Sequence, residues 1–374
     1  MIKKQYTAGL SITEKCNLKC GHCYIGQKSV WKKKRYLPKE MTLDKILKLI
    51  PKLKQANVKR INFGGGESTL HKNFIDIVKK LYEEDMKISL TTNGTTYSIY
   101  QNYLHLFNDI GVSIDFPDER HSTFRGNSKV FHKGVKTLEE LSKKGIKTEL
   151  VTCLMKNNYR DLPKIHQLAC DIGVDMWRLN RFHSSKNDIV RFQDNPKIRS
   201  QICRINDYLS CSPEQLAKTF AFLKSITPKE MNYSIPDPLF RTYVGGKSVT
   251  PGIPAGRISF RIQSNGEVTP NVFTDELSDN IFKNSLNKIM QSNSFSNYEN
   301  LKPKGKCVTC VNYNNCQGGD ITDSYLLKGD INSPDPFCFL DPNEKKETQL
   351  MKIEDTNFVH ESYLGTIYVP IKRK

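Results

Sequence analysis

Three cysteines stand close together near the start of the chain. Cys16, Cys20 and Cys23 are spaced C-x3-C-x2-C within the stretch 11–24. Thiolate is the preferred protein ligand of iron–sulfur clusters, and three thiolates hold three irons of a cubane [4Fe–4S] cluster. The fourth iron then lacks a protein ligand and stays open to a small molecule, which is the condition for metal chemistry on a bound group. Zinc, with His22 as an additional ligand, also fits this spacing. A second set, Cys307-x2-Cys310-x5-Cys316 followed by Cys338, supplies four thiols. Four close either a cluster or a zinc site. Between the two sets, Gly64-Gly65-Gly66-Glu67 places a carboxylate after glycines that let the backbone approach a ligand closely. The remaining cysteines, Cys153, Cys170, Cys203 and Cys211, are scattered singly. Tight clustering of this kind points to metal rather than to disulfides.

The elements that must position these groups follow from hydrophobic periodicity. Strand-like runs fall at Gly9–Ile12, Arg60–Phe63, Ile88–Thr91, Ile110–Ile114, Lys147–Cys153 and Met176–Leu179. Amphipathic helical runs lie between them, among them Thr42–Ala56, Phe74–Asp85 and Lys133–Lys144, and Pro51 is expected to kink or divide the first. Alternation of this kind predicts an α/β fold with a parallel sheet over residues 1–205. Residues 206–250 read as a helical and then loop-rich bridge, with breaker signals at Ile235-Pro-Asp-Pro238 and Val244-Gly-Gly246. Residues 251–345 form a small cysteine-rich unit, and the tail 346–374 carries an edge-strand candidate at Tyr363–Ile371.

A chain of 374 residues has room for more than one core. It contains no apolar run of about 18 residues and no apolar signal segment at its start, so the expected location is cytoplasmic, with no membrane contact. Cluster chemistry implies an anaerobic setting. The net charge of +18 reads as a lysine-rich solvated surface, as at Lys32–Arg35 and Lys143–Lys144. Affinity for nucleic acid or an acidic peptide is the other reading, but the aromatic residues are not arranged as base-stacking motifs.

The loop at 11–24 resembles the signature of the radical S-adenosylmethionine (SAM) enzymes. The glycine-rich Glu67 segment, one βα unit later, is similar to that family's GGE motif. The resemblance implies a partial (βα)6 TIM barrel whose ligands sit at the C-terminal strand ends. It implies that Cys16, Cys20 and Cys23 hold a catalytic [4Fe–4S] cluster chelating SAM. Reductive cleavage of SAM then gives a 5′-deoxyadenosyl radical that abstracts a substrate hydrogen. By the same resemblance His22 packs near the adenine, and Gly65, Gly66 and Glu67 orient the SAM amino group. Asn93, Ser113 and Asp115 line the ribose and substrate, and Arg178 meets the SAM carboxylate. His121 and Arg125 match a His…Arg-Gly run after the fourth strand, with loop packing or substrate contact as their role. Read as residues alone, Asn93 is a left-handed turn residue and Arg178 a surface arginine.

The second cysteine set resembles SPASM, the auxiliary-cluster domain of peptide- and protein-modifying radical SAM enzymes. That pattern builds two auxiliary clusters. Here Ile253, Asn271 and Asp320 stand at the three thiolate positions of the nearer one, so it is expected to be missing. Cys307, Cys310, Cys316 and Cys338 are expected to hold the other as a second auxiliary [4Fe–4S] cluster, with a four-cysteine zinc knuckle as the alternative. The implied function is hydrogen abstraction from a peptide or protein substrate, with crosslinking, thioether formation, epimerisation or oxidation as outcomes. Cys153 is a candidate thiol hydrogen donor for epimerisation; core filling is its plainer reading. The implied partners are an electron donor such as flavodoxin or ferredoxin and a separate leader-binding protein, because the cysteine loop begins too early for a fused one. That early start also favours a small-molecule or whole-protein substrate. A small-molecule dehydrogenase or mutase, and a non-catalytic scaffold retaining the fold, are the alternatives.

Overall fold

The computed structural model describes residues 4–25, 39–183, 209–228, 233–273, 279–351 and 365–371. Cys203, Lys32–Arg35 and the first two residues of the tail strand candidate lie outside them. The core is a βα alternation. Strands β1 (Tyr6–Leu10), β2 (Val58–Phe63), β3 (Lys87–Thr92), β4 (Asp109–Ser113), β5 (Thr148–Leu154) and β6 (Met176–Arg181) pair in sequence order, every pair parallel. Their central residues are buried, which is why the strands read as short apolar runs rather than as alternating ones.

Helix α1 (Leu43–Gln55) shows how the outer layer forms. The Thr42 hydroxyl caps it by accepting the Lys45 N–H at 3.4 Å. Ile46, Leu49, Ile50 and Leu53 recur at helical spacing and are buried in the same apolar core as β1 and β2. The helix runs through Pro51 rather than dividing there. Helices α2 (Phe74–Glu83), α3 (Arg120–Arg125), α4 (Val130–Lys143) and α5 (Leu162–Ile172) lie in the later crossovers, α2 and α4 near the positions that periodicity gives. The result is an α/β partial barrel.

The sheet is extended at both edges. Helix α6 (Pro213–Ile226) begins at a capping box on Ser212 and Gln215. The breakers at 235–246 enclose a further helix, α7 (Pro238–Val244). Asp237 caps it through the Phe240 N–H at 2.7 Å, Pro238 opens it and Gly245 closes it at φ 71°. Pro at a helix start and Gly just past its end stop a helix only outside those limits. The short strand β7 (Lys247–Ser248) follows, and β8 (Ser259–Ile262) then pairs in parallel with β1. Strands β9 (Glu267–Thr269) and β10 (Asp279–Asn280) continue as antiparallel neighbours, with Gly266 at φ 87° in the turn between β8 and β9. After helix α8 (Ile321–Lys328), β11 (Gln349–Leu350) pairs with β7, and β12 (Thr366–Pro370) lies antiparallel on β6 as the edge strand expected of the tail. Among the described residues no helix is long and apolar enough to cross a membrane.

Candidate functional site

The cysteine loop leaves the C-terminal end of β1 and is held from three sides. On the first, Gly66 and Glu67 donate backbone N–H groups to the Thr13 and Lys15 carbonyls at 3.0 and 2.8 Å. This contact explains the glycines. A Cβ on Gly65 would sit 3.0 Å from Ser11 Cβ, and φ there is +117°. A Cβ on Gly66 would lie 2.7 Å from the Glu14 carbonyl carbon. On the second side, Asn17 donates to Thr95 Oγ1 at 2.8 Å and accepts from Asn93 Nδ2 at 2.9 Å. On the third, the carbonyls ending α3 accept from the loop, Arg125 from Lys19 N–H at 3.2 Å and Phe124 from Gly21 N–H at 3.1 Å.

Cys16, Cys20 and Cys23 thereby face one cavity of about 260 Å³ at the C-terminal ends of the strands. Its wall also carries His22, Gly65, Gly66, Glu67, Asn93, Ser113 and Arg178. The expected site residues are brought together with one exception. Asp115 is fully buried and is not on the wall; it sits behind it, accepting from Arg125 Nε and Nη2 at 2.8 Å each and from the Cys153 N–H at 3.0 Å. Burial alone would raise its pKa, but the Arg125 guanidinium, with His22 and His121 nearby, holds the carboxyl down at about 2. Arg125 therefore acts as a brace: its side chain pairs with Asp115 while its carbonyl anchors the loop. His121 joins the same brace, its Nδ1 accepting the Asp115 N–H at 2.9 Å.

The other residues show details that spacing does not reveal. Glu67 is buried, and its carboxylate accepts from Thr69 Oγ1, Thr92 Oγ1 and the Asn93 N–H at 2.7–2.9 Å. Its orientation is thus fixed by the chain itself. Burial raises its pKa against those hydrogen bonds. Arg178 is not a surface residue; it is buried, with Nε 3.1 Å from Glu149 and Nη2 donating to Thr91 Oγ1 at 2.7 Å. At the Asn93 turn the left-handed residue is Gly94, at φ 77°. The His22 ring stacks on Phe124, centroids 5.1 Å apart and planes 4° apart. Burial lowers its pKa to about 4, and Nδ1 is enclosed without a hydrogen-bond partner among the described residues. Cys153 lines the cavity, half-buried, and desolvation raises its thiol pKa well above the ordinary value.

The donor set fits the cluster. Three thiols of one loop share a wall with a closely packed glycine segment and an unsatisfied buried ring nitrogen on His22. Burial pushes Cys20 up to about 12 and raises Cys16, so these thiols stay protonated until a cation draws the protons off. Phe124, Arg181, His183, Arg261 and Phe273 are contributors that sequence reasoning missed. They come from α3, the end of β6 and the β8–β9 region, and no local motif marks them.

The distal cysteines also meet. Cys307, Cys310, Cys316 and Cys338 line one small cavity together with Lys306 and Tyr313. Cys316 ends the single helical turn Tyr313–Cys316, and burial pushes its thiol to about 12 and that of Cys307 to about 11. Every cysteine among the described residues is a free thiol. At the expected nearer auxiliary position the space is filled by side chains. Ile253 packs with Ala255, Tyr298 and Ile321, and Asn271 Nδ2 donates to Tyr298 Oη at 3.1 Å and Thr322 Oγ1 at 3.3 Å.

A partial barrel with a three-cysteine loop at its strand ends defines a class of metal-cluster protein. Residues 10–169 match the family model of the radical SAM superfamily, so this segment carries a radical SAM domain, a family that implies a [4Fe–4S] cluster and SAM as cofactors. It is 30% identical over 163 residues to the Fe-coproporphyrin III synthase of Methanosarcina barkeri, covering 42% of this chain and 39% of that one. It is 23% identical over 346 residues to the mycofactocin maturase MftC of Mycolicibacterium smegmatis, covering 87% and 81%. The Streptococcus suis SuiB structure bound to precursor peptide SuiA matches the fold with a TM-score of 0.61 at 15% identity, over 90% of this chain and 76% of that one. The chain spans about half the length of the curated relatives first matched.

Proposed function

We propose that the chain is a radical SAM enzyme that abstracts a hydrogen from a peptide or protein substrate. The observation that carries the catalytic part is the single cavity shared by Cys16, Cys20, Cys23, Glu67, Asn93, Ser113 and Arg178. Those cysteines would hold the cluster, and Cys307, Cys310, Cys316 and Cys338 a second one. When bound, the cluster with SAM supplies hydrogen-atom abstraction at a carbon centre. The chain's own residues do the positioning. Glu67, fixed by Thr69, Thr92 and Asn93, would bind the SAM amino group. The half-buried His22–Phe124 stack would offer a flat apolar surface for the adenine. Enclosure of the cavity by Val151, Phe182, Val272 and Phe273 excludes water and stray hydrogen donors.

The peptide reading is supported by the similarity to a maturase over most of both chains and by the fold shared with a protein bound to a precursor peptide. The test is anaerobic turnover with SAM and a strong reductant. The protein should release 5′-deoxyadenosine, and Cys16→Ala should release none. Release should accelerate on adding a peptide fraction from the source cells, and not on adding the peptide-free metabolite fraction. Acceleration by metabolites alone would instead establish the small-molecule reading. Equal release from wild type and Cys16→Ala would refute the enzyme assignment.

A further inference from the structure

Across the cavity from the cysteine loop, four aspartates converge on the end of β6. Asp237, Asp320, Asp323 and Asp335 are all buried. Among the described residues their ion pairs come from Arg181 and His183. Arg181 Nη2 lies 2.8 Å from Asp335 Oδ2, and Nε lies 3.2 Å from Asp237 Oδ2. One guanidinium faces four carboxylates, and a protonated imidazole would still leave two negative charges in excess. Buried charge in such excess is not tolerated without a counter-ion or protons.

The four carboxylates are not equivalent. Asp335 is bound by backbone, accepting the Phe337 N–H at 2.8 Å and the Asp320 N–H at 2.9 Å. Asp237 caps α7. Asp320 Oδ1 caps α8 through the Thr322 N–H at 2.9 Å, which leaves Oδ2 directed inward. Asp320 Oδ2, Asp323 Oδ2 and His183 Nε2 are all enclosed and make no hydrogen bond among the described residues. His183, Asp320 and Asp323 each bring a ligand atom within 4.8 Å of the others. His183 Nε2 faces Asp320 Oδ2 at 3.4 Å, close to the ~3 Å that bonds of about 2.1 Å impose on neighbouring ligands of one ion. Its other ring nitrogen, Nδ1, lies 2.8 Å from Asp323 Oδ1, so the imidazole is held between the two carboxylates.

We propose that His183, Asp320 and Asp323 bind one divalent cation. One imidazole nitrogen with carboxylate oxygens selects borderline to hard first-row ions, Mn²⁺ and Fe²⁺ foremost, rather than the thiophilic ions of the cysteine sites. Asp320 occupies the sequence position at which the resemblance has a cluster cysteine, and its cap partner Thr322 contacts Asn271 at another such position. The cation thus stands beside the filled auxiliary site. His183, which lines the cavity and packs on Phe273 at 5.1 Å, would carry its charge to the cavity wall. The site is independent of the peptide reading.

The test uses the full chain with its iron centres reconstituted, titrated anaerobically with Mn²⁺ and followed by electron paramagnetic resonance. The expected result is one tightly bound Mn²⁺ per chain showing nitrogen coupling from one imidazole. His183→Gln should abolish the coupling, and Asp323→Asn should weaken binding by about tenfold or more. The exposed Asp341→Asn should change neither. Iron content identical to wild type shows that the variants are folded. Absence of tight Mn²⁺ binding by the wild-type chain overturns the proposal, as does bound Mn²⁺ without nitrogen coupling, an observation that needs no variant to fold.

Discussion

Gly66 tests the idea that backbone fit, and not only the cysteines, sets the catalytic geometry. Its φ is not in the left-handed region, so alanine is admissible on backbone grounds and space alone decides. A Cβ there would lie 2.7 Å from the Glu14 carbonyl carbon and 2.8 Å from that of Lys15, and closer still to the Lys15 oxygen, where 3.0 Å is the practical limit. These are backbone atoms one and two residues from Cys16, so no rotamer change relieves the clash. Relief requires the loop to retreat by about 1 Å, a misplacement that costs a reaction controlled by positioning on the order of 100-fold. Gly66→Ala is therefore expected to retain the wild-type iron content while 5′-deoxyadenosine release falls about 100-fold. The assay is the anaerobic single-turnover rate at saturating SAM, with iron counted on the same sample. Gly145→Ala, at a surface turn with φ +70° and nothing within 4 Å, is the control. It should lower stability by about 1 kcal/mol and leave the rate unchanged. A Gly66→Ala enzyme that keeps more than a tenth of the wild-type rate would refute the argument.

Other outcomes follow from the buried charges and the distal thiols. Arg125→Met leaves Asp115 buried without its guanidinium and should destabilise the cluster-free chain by about 3 kcal/mol in urea unfolding. The same substitution in an Asp115→Asn background should cost under about 1 kcal/mol, and equal costs in both would show that the pair is not the cause. Asp115 is held at about 2 against an ordinary 3.8, so it contributes about 2 kcal/mol of stability. Its folded pKa is depressed, so this contribution is complete above pH 4 and disappears as pH falls towards 2. Wild type should lose that much more stability than Arg125→Met over this window, and parallel pH profiles would contradict the assignment. Cys316→Ala should lower reconstituted iron from about eight to about four atoms per chain. Unchanged iron, or one zinc per wild-type chain, would exclude a distal cluster.

The barrel was legible because its signals are local. Each strand of the βα series is a short apolar run, and the first helix carries Ile46, Ile50 and Leu53 on one face, although Leu47, read with them, is exposed and Leu49 takes its place in the core. The convergence of each cysteine set was legible because close thiol spacing brings the side chains to one wall. What stayed hidden depends on tertiary pairing or on context. Ser259–Ile262 gives no sign that it will lie beside β1, some 250 residues earlier. Pro236, Pro238 and Gly245 read as breakers, yet two of them delimit a helix once Asp237 supplies the cap. Asp115 was expected on the wall because it ends a strand, but Arg125 draws it behind. Arg181 ends β6 and His183 follows it with no motif, and the aspartates that surround them are up to 154 residues away. Each of those aspartates looks like an ordinary turn or cap residue.

The distal cysteines and the cavity are joined through backbone and ion pairs rather than through the missing cluster. The Cys338 N–H donates to the Asp335 carbonyl at 3.0 Å, and the Asp335 N–H donates to Gly318, two residues beyond Cys316, at 2.8 Å. The Asp335 carboxylate in turn holds Arg181 at 2.8 Å, and Arg181 lines the cavity. On the opposite side, Arg241 of α7 donates to the Gly252 carbonyl at 3.2 Å and to that of Asn315 at 2.8 Å, tying the Cys316 turn to the segment that carries Ile253. Around the distal site regular structure is sparse, so the conformation of 305–342 depends on what the four thiols bind. A metal there would fix Cys338, whose N–H bonds to Asp335, and Asp335 in turn holds Arg181. A metal at the distal site would in this way position the cavity wall without any electron relay.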